Sequence, residues 1–365
     1  IGGWEIDIDD ETYERYNNMT GELKHKILDS ITQNEDEEYC FKLCDGKCPM
    51  LDDNGLCEIH KNLGEDYLGV VCKQFPRYSE YYGTIKESGI GLACEEAARI
   101  ILSENRPFSM ETAACDEEYE PSSEYDSSFA LQIFAAREAV FKILAKESLS
   151  IHEKLIVILD MGSKIQQCIN TDEYDNIKSV VNDYLKEGIA HTLDETRNLS
   201  DSGQFEDISL QQGIRQILYP YEEMEVLNPE WEVILKDIID SLFEQMSDEE
   251  YNILNEEFGT YMVSRVYEYR QLLEYLVFRY FAKSIYDYDF LGKCQMLVTN
   301  FFVIRQMDII RWLDNHREYS FKDRMDVVHI FSRQVEYSED NIENLYEDFI
   351  FDDIFKTDSL IAILW

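Results

Sequence analysis

From Phe129 onward the apolar residues recur at helical spacing. Between Phe129 and Leu144 they fall at Leu131, Phe134, Ala135, Ala139, Ile143 and Leu144, which predicts one amphipathic helix. Ser150 precedes the next such run, Leu155, Ile158, Leu159 and Ile165. Glu153 stands three residues after Ser150, so a capping box is expected to open that helix. The clearest stripe is Met262, Val266, Tyr269, Leu273, Leu276 and Tyr280, in alternating steps of four and three, which predicts a helix over 261–286. Asp287-Tyr288-Asp289 is long enough for a helix–helix turn, and another apolar helix is expected over 293–312. Ser338, with Asn341 three residues on, is expected to open the last helix, and the polar run 198–213 marks a break. Alternation of period two never extends beyond a few residues. Ile6 and Ile8, set between acids, read as one short strand.

Residues 1–110 have a different texture, rich in cysteine, glycine and turns. Residues 111–128 (ETAACDEEYEPSSEYDSS) are acidic and turn-forming, and read as a linker or a long surface loop. The expected class is therefore mainly α: a small Cys-rich, metal-binding N-terminal domain over 1–110, then a larger all-helical domain over 129–365. A chain of 365 residues with 45% hydrophobic and 13% aromatic residues can bury two cores, and six prolines leave room for long helices.

Charge narrows the function. The formal net charge is −42, from 75 acidic against 33 basic residues. Such a surface repels nucleic-acid phosphate and anionic lipid, and suits a basic partner, although most of it serves solubility. No run approaches eighteen apolar residues, so no membrane span is expected, and the tail 360–365 (LIAILW) is expected to pack on the body. No signal peptide is visible. The first residue is not Met, so the natural start is expected upstream.

Nine cysteines are present, six of them between Cys40 and Cys94. The odd count in a long chain points to a reducing cytoplasm rather than a disulfide scaffold. Cys48, Cys57, Cys72 and Cys94 stand out, in CPMLDDNGLC, VCKQFPR and LACEEAARIIL. Thiolates hold zinc and iron–sulfur iron, because sulfur donates strongly to both. A turn at Asp52-Asp53-Asn54-Gly55 would bring Cys48 and Cys57 together, and Cys94 would open a helix, where the dipole favours a thiolate. Ordinary core cysteines are the alternative, and the density of thiols argues for a metal. The even spacing of Cys40, Cys44 and Cys48 misses the CxxxCxxC pattern by one residue and reads as coincidence. Cys115, Cys168 and Cys294 have no partner pattern and read as structural.

The opening GWEIDIDDETYERY, the run CPMLDDNGLCEIHKNLGEDYLGVVCKQFPR and LACEEAARIIL resemble the flagellin lysine-N-methylase family, and so do YLVFRYFAKSIYDYDF and FSRQVEYSEDNIENL near the other end. The cysteine run is also similar to a broader group of zinc- or iron-chelating cysteine-cluster proteins. The resemblance implies a protein-lysine N-methyltransferase that moves methyl groups from S-adenosylmethionine to lysines of flagellin or another lysine-bearing protein. It further implies an associated iron–sulfur cluster, a [4Fe–4S] one, with zinc as the alternative, and Cys48, Cys57, Cys72 and Cys94 as its metal ligands. The family's own cysteine stretch before Gly3-Trp4 is absent from this sequence, so any ligands it supplies lie outside it. A non-catalytic metal-binding or redox-sensing cysteine-cluster protein is the competing function.

Methyl transfer requires a neutral amine, so a site must remove the lysine proton with a base or by desolvation. The 24 tyrosines offer faces for a cation, but their spacing singles out none. Gly89-Ile90-Gly91 is the nearest thing to a glycine-rich nucleotide turn and lacks a third glycine. Arg77 reads either as an anion contact beside Cys72 or as a helix-capping residue, Glu95 and Glu96 as helix-start acids, and His60 as a surface residue. Arg333 and Glu336 read as an ion pair on one helix surface. No catalytic base is named by the sequence.

Overall fold

The structure, a computed structural model, describes residues 6–34, 37–44, 46–114, 125–203 and 208–365. It is mainly α, as expected, with two hydrophobic cores of very different size. Part of the acidic segment (115–124, with Cys115) and residues 1–5 lie outside the described residues.

The small core belongs to the first seventy-odd residues. Strands β1 (Ile6–Asp7), β2 (Ile31–Gln33) and β3 (Tyr39–Phe41) form an antiparallel sheet in the order β1-β3-β2, with both Ile6 and Ile31 opposite Phe41. Ile6, Ile8, Tyr16, Ile27, Phe41, Met50 and Ile59 are buried together, and Cys48, Cys57 and Cys72 pack against them. Asp9 caps the helix Asp10–Asn18 by accepting from the Thr12 N–H at 2.9 Å. The same carboxylate accepts from the Val70 N–H at 3.2 Å, which ties the first helix to the short helix Val70–Gln74 that carries Cys72.

A hairpin that periodicity did not predict follows. Strands β4 (Arg77–Tyr82) and β5 (Ile85–Ile90) pair antiparallel around Gly83-Thr84, where Gly83 has φ +62°. Their sequences, RYSEYY and IKESGI, hide the alternation because tyrosines occupy both faces. The hairpin is part of the large core: Tyr82 is buried there with Leu92, Ala98 and Leu102. Arg137, 4% exposed, grips Glu87 of β5 with both Nη atoms at 2.6 and 2.5 Å and so fastens the hairpin to the helix Ser127–Leu144.

The helices largely follow the predicted spacing. Ser127–Leu144 buries Ala139, Ile143 and Leu144 of the expected stripe together with Phe129, Ile133, Ala136 and Val140, whereas Leu131 is 68% exposed. Ser150 and Glu153 form the predicted capping box at the start of Ile151–Asn170. The expected helix over 261–286 is broken into Val263–Arg265, Tyr267–Tyr280, Phe281–Lys283 and Ser284–Asp287, and Val266 is exposed rather than part of the stripe. Tyr288, in the left-handed region at φ 56°, makes the predicted turn. The helix Phe290–Asp314 then runs through the centre, buried on nearly every face, with polar side chains such as Asn300, Gln306 and Asp308 among the apolar ones, against Ile151–Asn170, Tyr267–Tyr280 and Phe321–Val335. Ser338 caps Glu339–Phe351, but Thr357–Leu364 is the last helix and packs on Ile151–Asn170. No helix among the described residues is long and apolar enough to cross a membrane.

Candidate functional site

Three of the four predicted metal ligands, Cys48, Cys57 and Cys72, pack on the same small core. Asp52 turns the chain after Cys48 by accepting from the N–H groups of Asn54 (2.9 Å) and Leu56 (3.0 Å), and Gly55 takes φ +76°. The Glu58 N–H donates to the Met50 carbonyl at 2.8 Å, closing the loop between Cys48 and Cys57. Cys72 reaches the same patch from its own helix. Burial raises the Cys72 thiol to about 11, and the neighbouring Cys48 and Cys57 add to the shift. Burial also raises Cys48, with Cys57 contributing. All three are free thiols. Burial and the neighbouring thiols disfavour the thiolate forms of Cys48 and Cys72, which only a bound cation would stabilise. Among the described residues, however, no three His, Cys, Asp or Glu side chains are drawn in to metal-ligand spacing.

Cys94 sits in a different neighbourhood. It is the N-cap residue of Glu95–Leu102, as predicted, and its influence is felt at Tyr337 of the helical part. It connects to the thiol patch through the backbone: the Cys94 N–H donates to Gly91 (3.2 Å), and the Gly91 N–H to Pro76 (2.8 Å), four residues after Cys72. Arg77 is exposed and donates to the Lys73 carbonyl at 3.5 Å, the helix-capping role. His60 is exposed on Glu58–Leu63, and Glu96 pairs with Arg99 at the helix start.

Beside Cys94 the hairpin and the helices share a buried cluster that sequence reasoning missed. Arg279 lies over the rings of Tyr78, Tyr280, Tyr337 and Tyr275 at 4.8, 5.5, 5.4 and 6.0 Å. Its Nη1 is 3.1 Å from a carboxylate oxygen of Glu336 and donates to Tyr275 Oη at 2.6 Å. That same Glu336 oxygen accepts from Tyr275 (2.8 Å) and Tyr280 (3.1 Å). Glu336 therefore pairs with Arg279 and not with Arg333, the partner the sequence suggested: Glu336 closes the helix Phe321–Val335 inward, and Arg333 Nε is buried with no hydrogen-bond partner among the described residues. Gly89 and Gly91 do not form a nucleotide turn. A Cβ at Gly89 would lie 2.6 Å from Tyr78 Oη, and one at Gly91 would lie 2.6 Å from Tyr337 Oη and 3.2 Å from Arg279 Nη1. They are glycines so that aromatic hydroxyls and the guanidinium can approach the backbone.

Next to this cluster is a cavity of about 360 Å³ between β5, the segment 106–111 and the helix Tyr267–Tyr280. Tyr78, Tyr275, Phe108 and Phe278 wall it, and Glu274 supplies its carboxylate. Glu274 is 3% exposed, and burial raises its carboxyl to about 7 against the opposing pull of Arg270 and Lys154. A larger cavity of about 650 Å³ shares Phe108, Ser109, Glu111 and Phe278 with it. A spatial signal of this kind had no counterpart in the sequence, because Glu274 falls beside the predicted apolar stripe of its helix and looks like an ordinary helix acid.

Comparison with known proteins bears on the same helices. Residues 137–363 match the family model described as the FliB lysine N-methylase C-terminal domain. The chain is similar to the lysine-N-methylase of Salmonella typhimurium (strain LT2), 31% identical over 108 residues, 28% of this chain and 27% of that protein. The flagellar biosynthetic protein FliU of Salmonella muenchen is likewise 31% identical over 108 residues, 28% of this chain and 64% of that protein. The matched stretch thus spans about a quarter of the Salmonella typhimurium lysine-N-methylase. No solved structure matches.

Proposed function

Since a family model accounts for 137–363 of its 365 residues, the chain belongs to the FliB lysine N-methylase family, and from that premise we propose that it methylates lysine side chains of a protein, flagellin, with S-adenosylmethionine as methyl donor. The observation that carries this reading is the Arg279–Glu336 cluster. It buries side chains of the family-matched helices against Tyr78, Gly91 and the segment ending in Cys94, which supports reading that junction as part of the site.

In that reading Cys48, Cys57 and Cys72 hold an iron–sulfur cluster, [4Fe–4S], with Cys94 as the fourth thiolate; zinc is the alternative occupant. A bound cluster would cross-link segments distant in sequence through its metal–thiolate bonds. The residues of the chain do the rest. The aromatic walls accept an ammonium-bearing side chain and exclude water. The acidic surface favours a basic segment of the substrate. The reaction forms an N–C bond as the sulfonium C–S bond breaks, and one proton leaves the nitrogen.

The test is transfer of tritiated methyl from S-adenosylmethionine to purified flagellin by anaerobically isolated, full-length protein. Label on flagellin lysines is the expected result. No label with iron- and sulfide-replete protein overturns the enzymatic reading and leaves the cysteine cluster as a binding or redox-sensing module.

A further inference from the structure

The chemistry that lysine methylation demands, removal of a proton from a cation, finds a fitting group among the described residues in the Glu274 carboxylate. Glu274 lines the cavity beside the Arg279 cluster, and its side chain is nearly inaccessible. It faces charged groups from two packed elements: Arg270 on its own helix, 3.7 Å away, and Lys154 from Ile151–Asn170. Arg106 and Glu111 of the segment 106–111, with Tyr78 and Tyr275, complete the titratable lining. Gln271, one turn back, donates through Nε2 to the Glu104 carbonyl, while its Oε1 is buried without a partner among the described residues.

We propose that this cavity receives the side chain of the acceptor lysine and that Glu274 takes its proton. The inference rests on the methylase reading and adds the acceptor site and the base to it. The ammonium enters along the faces of Tyr78, Tyr275, Phe108 and Phe278 and gives one proton to the Glu274 carboxylate, leaving a neutral amine and a neutral carboxylic acid. The nitrogen lone pair then forms the bond to the methyl carbon while the carbon–sulfur bond of the sulfonium donor breaks, and its electrons stay on sulfur as a thioether. The product is a methylammonium ion, and the overall charge is conserved. Two features make the proton transfer feasible at neutral pH. Burial raises the carboxyl to about 7, so that it is a base of useful strength. Arg270 and Lys154, close to the same point, disfavour a third cation and so loosen the proton of the bound amine. The unpartnered Gln271 oxygen accepts from the incoming nitrogen.

The experiment uses full-length, metal-replete protein and two readouts. The first is methyl transfer to flagellin from pH 6 to pH 10. The second, independent of turnover, is calorimetric binding of Nα-acetyl-lysine methylamide. Glu274→Gln keeps the shape. It is expected to lower kcat at pH 7 by about 100-fold or more, to abolish the break in the rate profile near pH 7, and to weaken binding of the amine about tenfold. The lost rate is expected to return as pH rises and the amine loses its proton to solvent. Ser109→Trp, on the exposed rim of the cavity, is expected to reduce both readouts without touching Glu274, and serves if Glu274→Gln fails to fold. Unchanged transfer and unchanged binding in either folded variant overturn the proposal. Wild-type protein that binds the amine in a Glu274-dependent way but never labels flagellin overturns the methylase reading instead.

Discussion

Glu336 and Arg279 meet at 3.1 Å with the Glu336 side chain fully buried and the Arg279 side chain 12% exposed, held between Tyr78 of the hairpin and Tyr275, Tyr280 and Tyr337 of the helices. Removing one member of such a pair leaves a charge with no solvent and no partner. Arg279→Met should therefore cost about 3–5 kcal/mol in urea unfolding. Adding Glu336→Leu to that variant should recover part of the loss, because it removes the unpaired carboxylate but leaves the Tyr275 and Tyr280 hydroxyls without their acceptor. If the single and double variants are equally unstable, packing among the tyrosines, and not charge, holds the junction.

His152 gives a pH dependence with a fixed sign. Burial lowers its imidazole to about 4, Arg305 pushes the same way, and the ring stands edge-on to Phe301 at 5.5 Å. The unfolded chain takes up the proton near pH 6.5, whereas the fold resists until about pH 4. Stability associated with this residue is complete above pH 6.5 and is lost as pH falls towards 4, a total of roughly 3 kcal/mol. Many carboxylates titrate in the same range, so the measurement is the difference between wild type and His152→Phe across that window. A difference that does not change with pH would show that the ring is hydrated in the fold.

Gly91 tests the junction from the hairpin side. An alanine methyl there would sit 2.6 Å from Tyr337 Oη and 3.2 Å from Arg279 Nη1. Both are ends of long side chains, yet both are packed, so Gly91→Ala should cost on the order of 1–3 kcal/mol and lower methyl transfer by displacing Arg279. Gly55→Ala, at φ +76° with open space around it, is the contrasting case. There the backbone alone is strained, at a cost of about 1 kcal/mol, and transfer should be spared in proportion to folded protein.

The helical architecture was legible because burial and period coincide. Ser150 with Glu153, the turn at Tyr288 and the core helix Phe290–Asp314 all lie where apolar spacing and capping chemistry put them. The stripe failed at Leu131 and Val266, where an apolar side chain faces solvent and the sequence offers no sign of it. The hairpin was illegible because Tyr78, Tyr81 and Tyr82 read as apolar on both faces, and because Glu87 is neutralised by Arg137, 50 residues away. The site suffered most from this. Glu336 finds its partner on another helix rather than at Arg333, and Glu274 owes its unusual basicity to enclosure by the segment 106–111. Such pairings are set by tertiary contact and leave no local pattern.

The cysteines separate a structural role from a ligating one. Cys48, Cys57 and Cys72 pack on the small core, where Cys57 helps to raise the thiols of Cys48 and Cys72, whereas Cys294 is wholly buried in the large core against Gly162. Cys48→Ser, Cys57→Ser and Cys72→Ser are each expected to bring iron and acid-labile sulfide in anaerobically isolated full-length protein close to background, because a serine hydroxyl is a far weaker ligand for soft iron. Cys294→Ser should leave the metal content unchanged while lowering stability, since it puts a hydroxyl in an apolar contact. Cys94→Ser is the decisive member of the series. Its neighbour is Tyr337 and not the other three thiols, so it ligates only if a bound cluster draws the Pro76–Gly91 contact towards the patch. Loss of iron in Cys94→Ser is the expected result and places the cluster beside the Arg279 junction. Full iron content in that variant would assign the fourth ligand to another residue and detach the cluster from the junction.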